Sequence, residues 1–250
     1  MSFKNFLDLI NIAEETYFVK KDGVLKAASI TGTRVMSAIG NYRGEEIERI
    51  PDEFVINAQK FADIWGQATN DMSLSLEDNV LTLEDRKRKK ITIRMKDIKN
   101  KKIPELKINM DIMFVSLGKE DIEQILDYKR LTDGINVTFF MEKSTCDIIV
   151  KSIIPGNESL IKCDLLNKLS EGITYSYPKE FFDILKKANM NKSGVDVYFG
   201  VETDENNEPI LNAPLKSSPI KLLVKDDNGE VEYYIAPRSG EVENKQKPKK

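Results

Sequence analysis

One octet recurs along the chain. FFDILKKA at 181–188 is echoed by FADIWGQA at 61–68 and FLDLINIA at 6–13, with a looser copy, IEQILDYK, at 122–129. The first three share Phe first, Asp third, an aliphatic fourth, a bulky apolar fifth and Ala eighth. A spacing of roughly 55–60 residues is the signature of an internal repeat. Apolar residues at i, i+3, i+4 and i+7 make one helical stripe. Phe181, Ile184, Leu185 and Ala188 share a face, as do Phe61, Ile64, Trp65 and Ala68, and Phe6, Leu9, Ile10 and Ala13. A helix of about eleven residues is about 16 Å long and too short to stand alone, so each copy must dock its apolar side on something.

The segments after each helix supply that surface. MSLSLED, NVLTLED and KKITIRM alternate apolar and polar residues with the period of half-buried antiparallel strands. TYFVKKDGVLKAASI turns at Asp22-Gly23 and leads to RVMSAIG; INVTFFMEKSTCDIIVKS turns near Lys143-Ser144 and leads to SLIKCDLL. VDVYFG and IKLLVKDDNGEVEYYIAP close the series, turning at Asp227-Asn228-Gly229, and another tight turn is expected at Glu77-Asp78-Asn79. EFVIN, MFVSLG and GITYSY lead into the second, third and fourth helices. Each repeat therefore reads as strand, short helix, three strands. The expected class is α+β, with two duplicated domains, each packing two short helices on antiparallel sheets. Domain one spans 1–96 and domain two 113–238. DIKNKKIPELKINMDI, 97–112, reads as an extended connector, 202–217 as a long loop, and 239–250 as a disordered polar tail.

The 250 residues carry a net charge of −3, so any nucleic-acid role must rest on local charge. With no histidine, Ser-His-Asp and Cys-His catalysis are excluded. Cys146 and Cys163 are too few for a structural zinc site. Phosphate-loop, dinucleotide, HExxH and CxxC motifs are missing, so neither an enzyme nor a cofactor is expected. No apolar run approaches the roughly 18 residues that span a bilayer, and the amino terminus is too acidic for a secretory signal, so a cytosolic protein without membrane contact is expected.

Antiparallel sheets leave strand edges that are either blocked or used. RKKITIRM ends domain one and SLIKCDLL holds a comparable place in domain two. Pairing between them from chain to chain would be head-to-tail, which closes into a ring or runs on as a filament. The interface residues would be Ile91, Ile93 and Met95 on one segment and Leu160, Lys162 and Asp164 on the other.

SPIKLLVKDDNGEVEYYIAPR, IPEL in the connector, FVINAQKFADIW and SLGKEDIEQIL together resemble the DNA sliding clamps, the family of proliferating cell nuclear antigen and of the T-even-type phage clamp. The resemblance covers about 1–238. It implies the DNA-clamp fold and a homotrimeric, six-domain ring around duplex DNA. It further implies a processivity factor that tethers DNA polymerase, is placed by a clamp loader, and works in the cytoplasm (the host's if viral), on the nucleoid. In the family, lysines and arginines on the helix faces meet phosphates without reading bases; here these would be Lys4, Lys60, Lys129, Arg130, Lys179, Lys186 and Lys187. The same faces carry Asp8, Asn11, Gln59, Asp63, Asn70, Gln124, Asp127 and Asp183, so they are mixed in charge. RKRKK at 86–90 is a secondary candidate and equally a charged turn. By position, a partner-peptide pocket would be lined by Val35, Ile103, Pro104, Pro219, Tyr234, Ala236 and Pro237. The other reading is a clamp-fold interaction scaffold that never encircles DNA.

Overall fold

A computed structural model describes residues 1–33, 35–67, 73–78, 80–84, 90–94, 103, 109–154, 156–169, 171–206, 208–215 and 217–237. Most of the connector, most of RKRKK, the tail, and Ala68, Asn70, Asn79, Met95 and Pro104 lie outside these residues.

The first repeat is α1 (Phe3–Ile10), β1 (Thr16–Lys21), β2 (Val24–Ile30) and β3 (Met36–Tyr42). The second is β4 (Glu53–Ile56), α2 (Ala58–Gln67), β5 (Ser73–Glu77), β6 (Val80–Glu84) and β7 (Lys90–Arg94). The third is β8 (Met113–Leu117), α3 (Lys119–Thr132), β9 (Gly134–Glu142), β10 (Thr145–Ser152) and β11 (Glu158–Asp164). The fourth is β12 (Ile173–Pro178), α4 (Glu180–Met190), β13 (Val195–Phe199), β14 (Val201–Thr203), β15 (Pro209–Pro214), β16 (Ile220–Asp226) and β17 (Gly229–Ile235). Helix followed by three strands recurs four times, with β14 and β15 inserted in the last copy.

Local chemistry explains the boundaries. Ser2 Oγ accepts the Asn5 amide at 3.2 Å and starts α1. The Asp121 carboxylate accepts the Gly118 amide at 2.8 Å at the start of α3, and Asp133, left-handed at φ 49°, ends it. Asp22 (φ 52°) and Gly23 (φ 72°) make the left-handed pair that a two-residue hairpin between β1 and β2 needs. Asp78 and Lys143 are left-handed at two of the other expected turns.

Two expectations are corrected. The first octet overruns its helix: α1 ends at Ile10, so Ala13 lies beyond it. Residues 202–217 are not a loop throughout, because β14 and β15 pair as an antiparallel ribbon with Val201 opposite Pro214 and Thr203 opposite Pro209. Prolines tolerate that setting because they fall at the two ends of a strand whose outer edge needs no donor.

The chain divides into two compact units. The first is Met1–Lys107, Lys187–Val195 and Leu222–Tyr234; the second is Ile108–Lys186, Asp196–Lys221 and Ile235–Lys250. In the first unit the strands run β4-β1-β2-β3-β17-β16, and β5-β6-β7 form a separate sheet. Phe3, Phe6, Phe18, Phe54 and Phe61 are fully buried, with the Phe18 and Phe54 rings stacked at 4.8 Å. Ile64 of α2 and Leu83 of β6 form a smaller core with Leu74, Ile91 and Ile93. In the second unit a sheet runs β11-β10-β9-β12, and β8 neighbours β13. Its core centres on Phe139, Tyr175, Tyr177, Phe181 and Phe199; the Tyr175 and Phe199 rings stack at 4.9 Å. Each such buried side chain stabilises the fold by about 1.5–3 kcal/mol relative to exposure.

Candidate functional site

The octet asks each helix to bury one face and leave the other to solvent, and it does. Phe6, Leu9 and Ile10 of α1 and Phe181, Ile184, Leu185 and Ala188 of α4 are fully buried. In α2, Phe61 and Ile64 are buried and Trp65 is half-buried, its ring 5.3 Å beneath the Arg49 guanidinium.

In the first unit α1 and α2 lie against each other. Phe3 lies edge-on to Trp65 at 4.8 Å, and Asn11 Nδ2 donates to Gln59 Oε1 at 3.4 Å. Gln59 Nε2 in turn donates to Asp63 Oδ1 at 3.1 Å. Lys4 and Lys60 are exposed. Asp8 is half-buried, and this burial pushes its carboxyl above the ordinary range. Lys4 and Lys187 oppose that shift, and Asp63 adds to it.

Lys187 stands apart from the other predicted cations. It is half-buried, and its ammonium donates to the backbone carbonyls of Asp8 at 2.6 Å and Asn11 at 2.8 Å. Helical spacing gave no sign of this, because the carbonyls lie at the end of a helix 176–179 residues away.

In the second unit, Arg130, Lys179 and Lys186 are exposed. Arg130 pairs with Asp127 at 3.2 Å, and Lys129, half-buried, places its ammonium 5.6 Å from the centre of the Phe182 ring. Exposed pairs of this kind contribute about 0–1 kcal/mol. Gln124 and Asp183 are exposed beside them. Both units thus present mixed helix faces, with carboxylates interspersed among the exposed cations.

Among the described residues, β7 and β11 each end their sheet. Ile91 and Ile93 pack back onto Ile64 and Leu83, so the exposed side chains among those described on β7 are Lys90 and Thr92. On β11, Ile161 is buried, whereas Leu160, Lys162 and Asp164 form an exposed stripe. Of the predicted pocket residues, Val35 and Tyr234 in the first unit are half-buried, as is Ile103. The Tyr234 hydroxyl donates to Glu232 at 2.5 Å. In the second unit Pro219 and Pro237 are half-buried and Ala236 is exposed. Three surface cavities in the first unit, of about 550, 740 and 590 Å³, are lined by none of these residues.

No side-chain constellation among the described residues suits a metal ion, and no described helix is long and apolar enough to cross a membrane. Burial pushes the Cys146 thiol up, and that of Cys163 up to about 11.

No protein-family model matches the sequence, and no curated protein matches it. Solved structures do. Proliferating cellular nuclear antigen from Entamoeba histolytica superposes with a TM-score of 0.68, covering 94% of each chain at 15% identity. The fold is that of the DNA sliding clamps. A second clamp structure, A. fulgidus PCNA with the C-terminal region of FEN-1 bound, gives a TM-score of 0.66 over 95% of each chain, again at 15% identity. The α+β clamp fold expected from the fourfold pattern is therefore present over nearly the whole chain. Identity this low explains why a likeness plain in the backbone escapes comparison of sequences.

Proposed function

We propose that the protein is a sliding clamp, a DNA polymerase processivity factor without enzymatic activity, in which three chains close head-to-tail around duplex DNA. One observation carries this reading. The third strand of the first repeat, β3, lies beside the third strand of the fourth, β17. The Arg43 amide donates to the Asn228 carbonyl at 2.8 Å, and Asn41 reaches Glu230 at 3.0 Å, so the pair runs antiparallel. The lead-in strands β4 and β12 lie at the outer ends of their sheets. The third strands of the second and third repeats, β7 and β11, have no such neighbour among the described residues. They are the counterparts of β3 and β17, and a second copy of the chain offers each the partner that it lacks. Repeating that contact is head-to-tail, and in the proposed assembly it closes into a ring rather than a symmetric dimer.

In this ring the duplicated domains are 1–96 and 113–238, joined by 97–112. Ile91, Ile93, Met95, Leu160, Lys162 and Asp164 belong to the seam. Ile91 and Ile93 serve it by shaping the strand from beneath, whereas Leu160, Lys162 and Asp164 meet the neighbour. Lys4, Lys60, Lys129, Arg130, Lys179 and Lys186 face the duplex and give weak, sequence-independent phosphate contact. Mixed charge suits a mobile tether, because a closed ring retains DNA by topology and tight binding would impede sliding. A partner peptide with aromatic anchors would occupy the pocket of Val35, Ile103, Pro104, Pro219, Tyr234, Ala236 and Pro237; that the A. fulgidus clamp has the C-terminal region of FEN-1 bound supports a peptide as the class of partner. The setting would be the cytoplasm and its nucleoid, or those of a host cell.

Light scattering across a concentration series tests closure, with a mass of three chains as the expected result. Loading onto nicked circular DNA by the cognate loader tests function: retention on circles and loss after linearisation mark a topological link. A monomer at every concentration would favour the scaffold that does not encircle DNA.

A further inference from the structure

Helix α1 ends without a residue of its own to close it. It spans only eight residues, and its C-cap, Asn11, has φ −74° and ψ 87°, not the left-handed conformation of a self-closing helix. The last four carbonyls of any helix lack partners within it. Three of the four here find partners: the Ile12 amide donates to Ile10 at 3.0 Å, the buried Tyr233 hydroxyl donates to Leu9 at 2.8 Å, and Lys187 donates to Asp8 at 2.6 Å. Lys187 also holds the Asn11 carbonyl, just past the helix, at 2.8 Å. Both long-range donors come from the fourth repeat, Lys187 from the last turn of α4 and Tyr233 from β17. A cation at this end also complements the negative pole of the helix dipole.

We propose that Lys187 is a positioning residue: together with Tyr233 it closes the carboxyl end of α1 from the fourth repeat and so fixes the helix face that presents Lys4, rather than contacting phosphate itself. Lys4, Lys60, Arg130, Lys179 and Lys186 are exposed and Lys129 is half-buried by the Phe182 ring, whereas the Lys187 ammonium is directed into the backbone at the end of a neighbouring helix. The charges around Asp8 tie the two roles together. Lys4 faces it from its own helix, Asp63 from α2 and Lys187 from α4. Removing Lys187 therefore loosens the end of α1 and strips Asp8 of one of its two stabilising cations. The consequence for DNA rests on the sliding-clamp reading; the consequences for α1 and Asp8 do not.

The test compares Lys187→Gln, Lys187→Arg and Lys186→Gln in the full-length protein. Hydrogen exchange of the peptide covering α1 is expected to quicken at least tenfold in Lys187→Gln, to return towards the parent rate in Lys187→Arg, and to stay unchanged in Lys186→Gln. The Asp8 carboxyl, followed by carbon-13 resonance, is expected to titrate at higher pH in Lys187→Gln alone. For binding to a short duplex, the slope of log affinity against log salt should drop by about 0.9 in Lys186→Gln, one phosphate contact, and stay unchanged in Lys187→Gln. A drop in slope in Lys187→Gln with unaltered exchange at α1 would overturn the proposal and make Lys187 a phosphate ligand. Should the parent protein fail to be retained on nicked circular DNA, the ring reading fails, and exchange and Asp8 titration still decide the role of Lys187.

Discussion

Strands β3 and β7 are the same element of successive repeats with opposite fates. Their stations can be matched through the hairpins before them: Lys21 faces Val24 at one turn and Glu77 faces Val80 at the other. Ala27 then pairs with Gly40 on β3 where Leu83 pairs with Ile91 on β7. At Gly40 the space is already filled, since a Cβ would come within 2.6 Å of the Phe6 ring. At Ile91 the strand supplies its own aliphatic group to a small core around Ile64 and Leu83. β3 is hydrogen-bonded into a sheet on both sides, whereas among the described residues β7 has only β6. A duplicated unit can thus complete one junction inside the chain while its counterpart keeps a free edge among the described residues, the edge that the proposed ring would pair.

Substitutions can break or sharpen that contrast. The largest effect is expected at the closed junction: Gly40→Val forces a branched side chain against Phe6 and should cost about 3 kcal/mol, read as a drop in the denaturant midpoint. At the open edge, Leu160→Glu should leave the protomer folded and weaken self-association at least ~100-fold, about 2.7 kcal/mol, by sedimentation. An unchanged mass distribution would remove β11 from the seam. Ile91→Ala trims a half-buried side chain and should cost about 1–2 kcal/mol in thermal unfolding, less than at a fully buried site.

The smallest effect is expected from pH. Burial, then the hydrogen bond to Glu46, raise the Tyr42 phenol on β3 above its ordinary value of 10.0, with further repulsion from the Glu46 and Asp226 charges. The folded chain holds this proton to higher pH than the unfolded chain does. Its stabilising contribution is therefore complete below about pH 10 and declines above it. Tyr42→Phe should flatten that part of the decline, measured as unfolding midpoints at pH 9 and pH 11; an unchanged slope would locate the alkaline sensitivity elsewhere, with Tyr175, Tyr177 and Tyr233, whose phenols are also raised by burial, as the next to examine.

Much of the fold was legible in single residues and short spacings. Phe, Ile, Leu and Ala at helical intervals mark the four helices, and Asp22-Gly23 marks a hairpin because few residue pairs accept that backbone. Where spacing misled, competing interactions were out of its reach. Ala13 extends the stripe of α1, but the helix ends earlier, where Lys187 and Tyr233 take its carbonyls. Pro209 and Pro214 suggested a loop, yet both fit the ends of a ribbon strand. For the candidate site, the family resemblance singled out Lys4, Lys60, Arg130, Lys179 and Lys186, and all five are exposed, whereas nothing in the spacing marked the engagement of Lys187.

The amino-acid order by itself determined the repeating unit of short amphipathic helix and alternating strands, since both periods are local properties of side chains along a backbone. Tertiary structure alone decided that β3 meets β17 while β7 and β11 end their sheets among the described residues, and that a lysine of the fourth repeat closes the helix of the first. Those contacts join residues nearly two hundred positions apart, and backbone hydrogen-bonding groups carry no label in the sequence for the distant partner they will find.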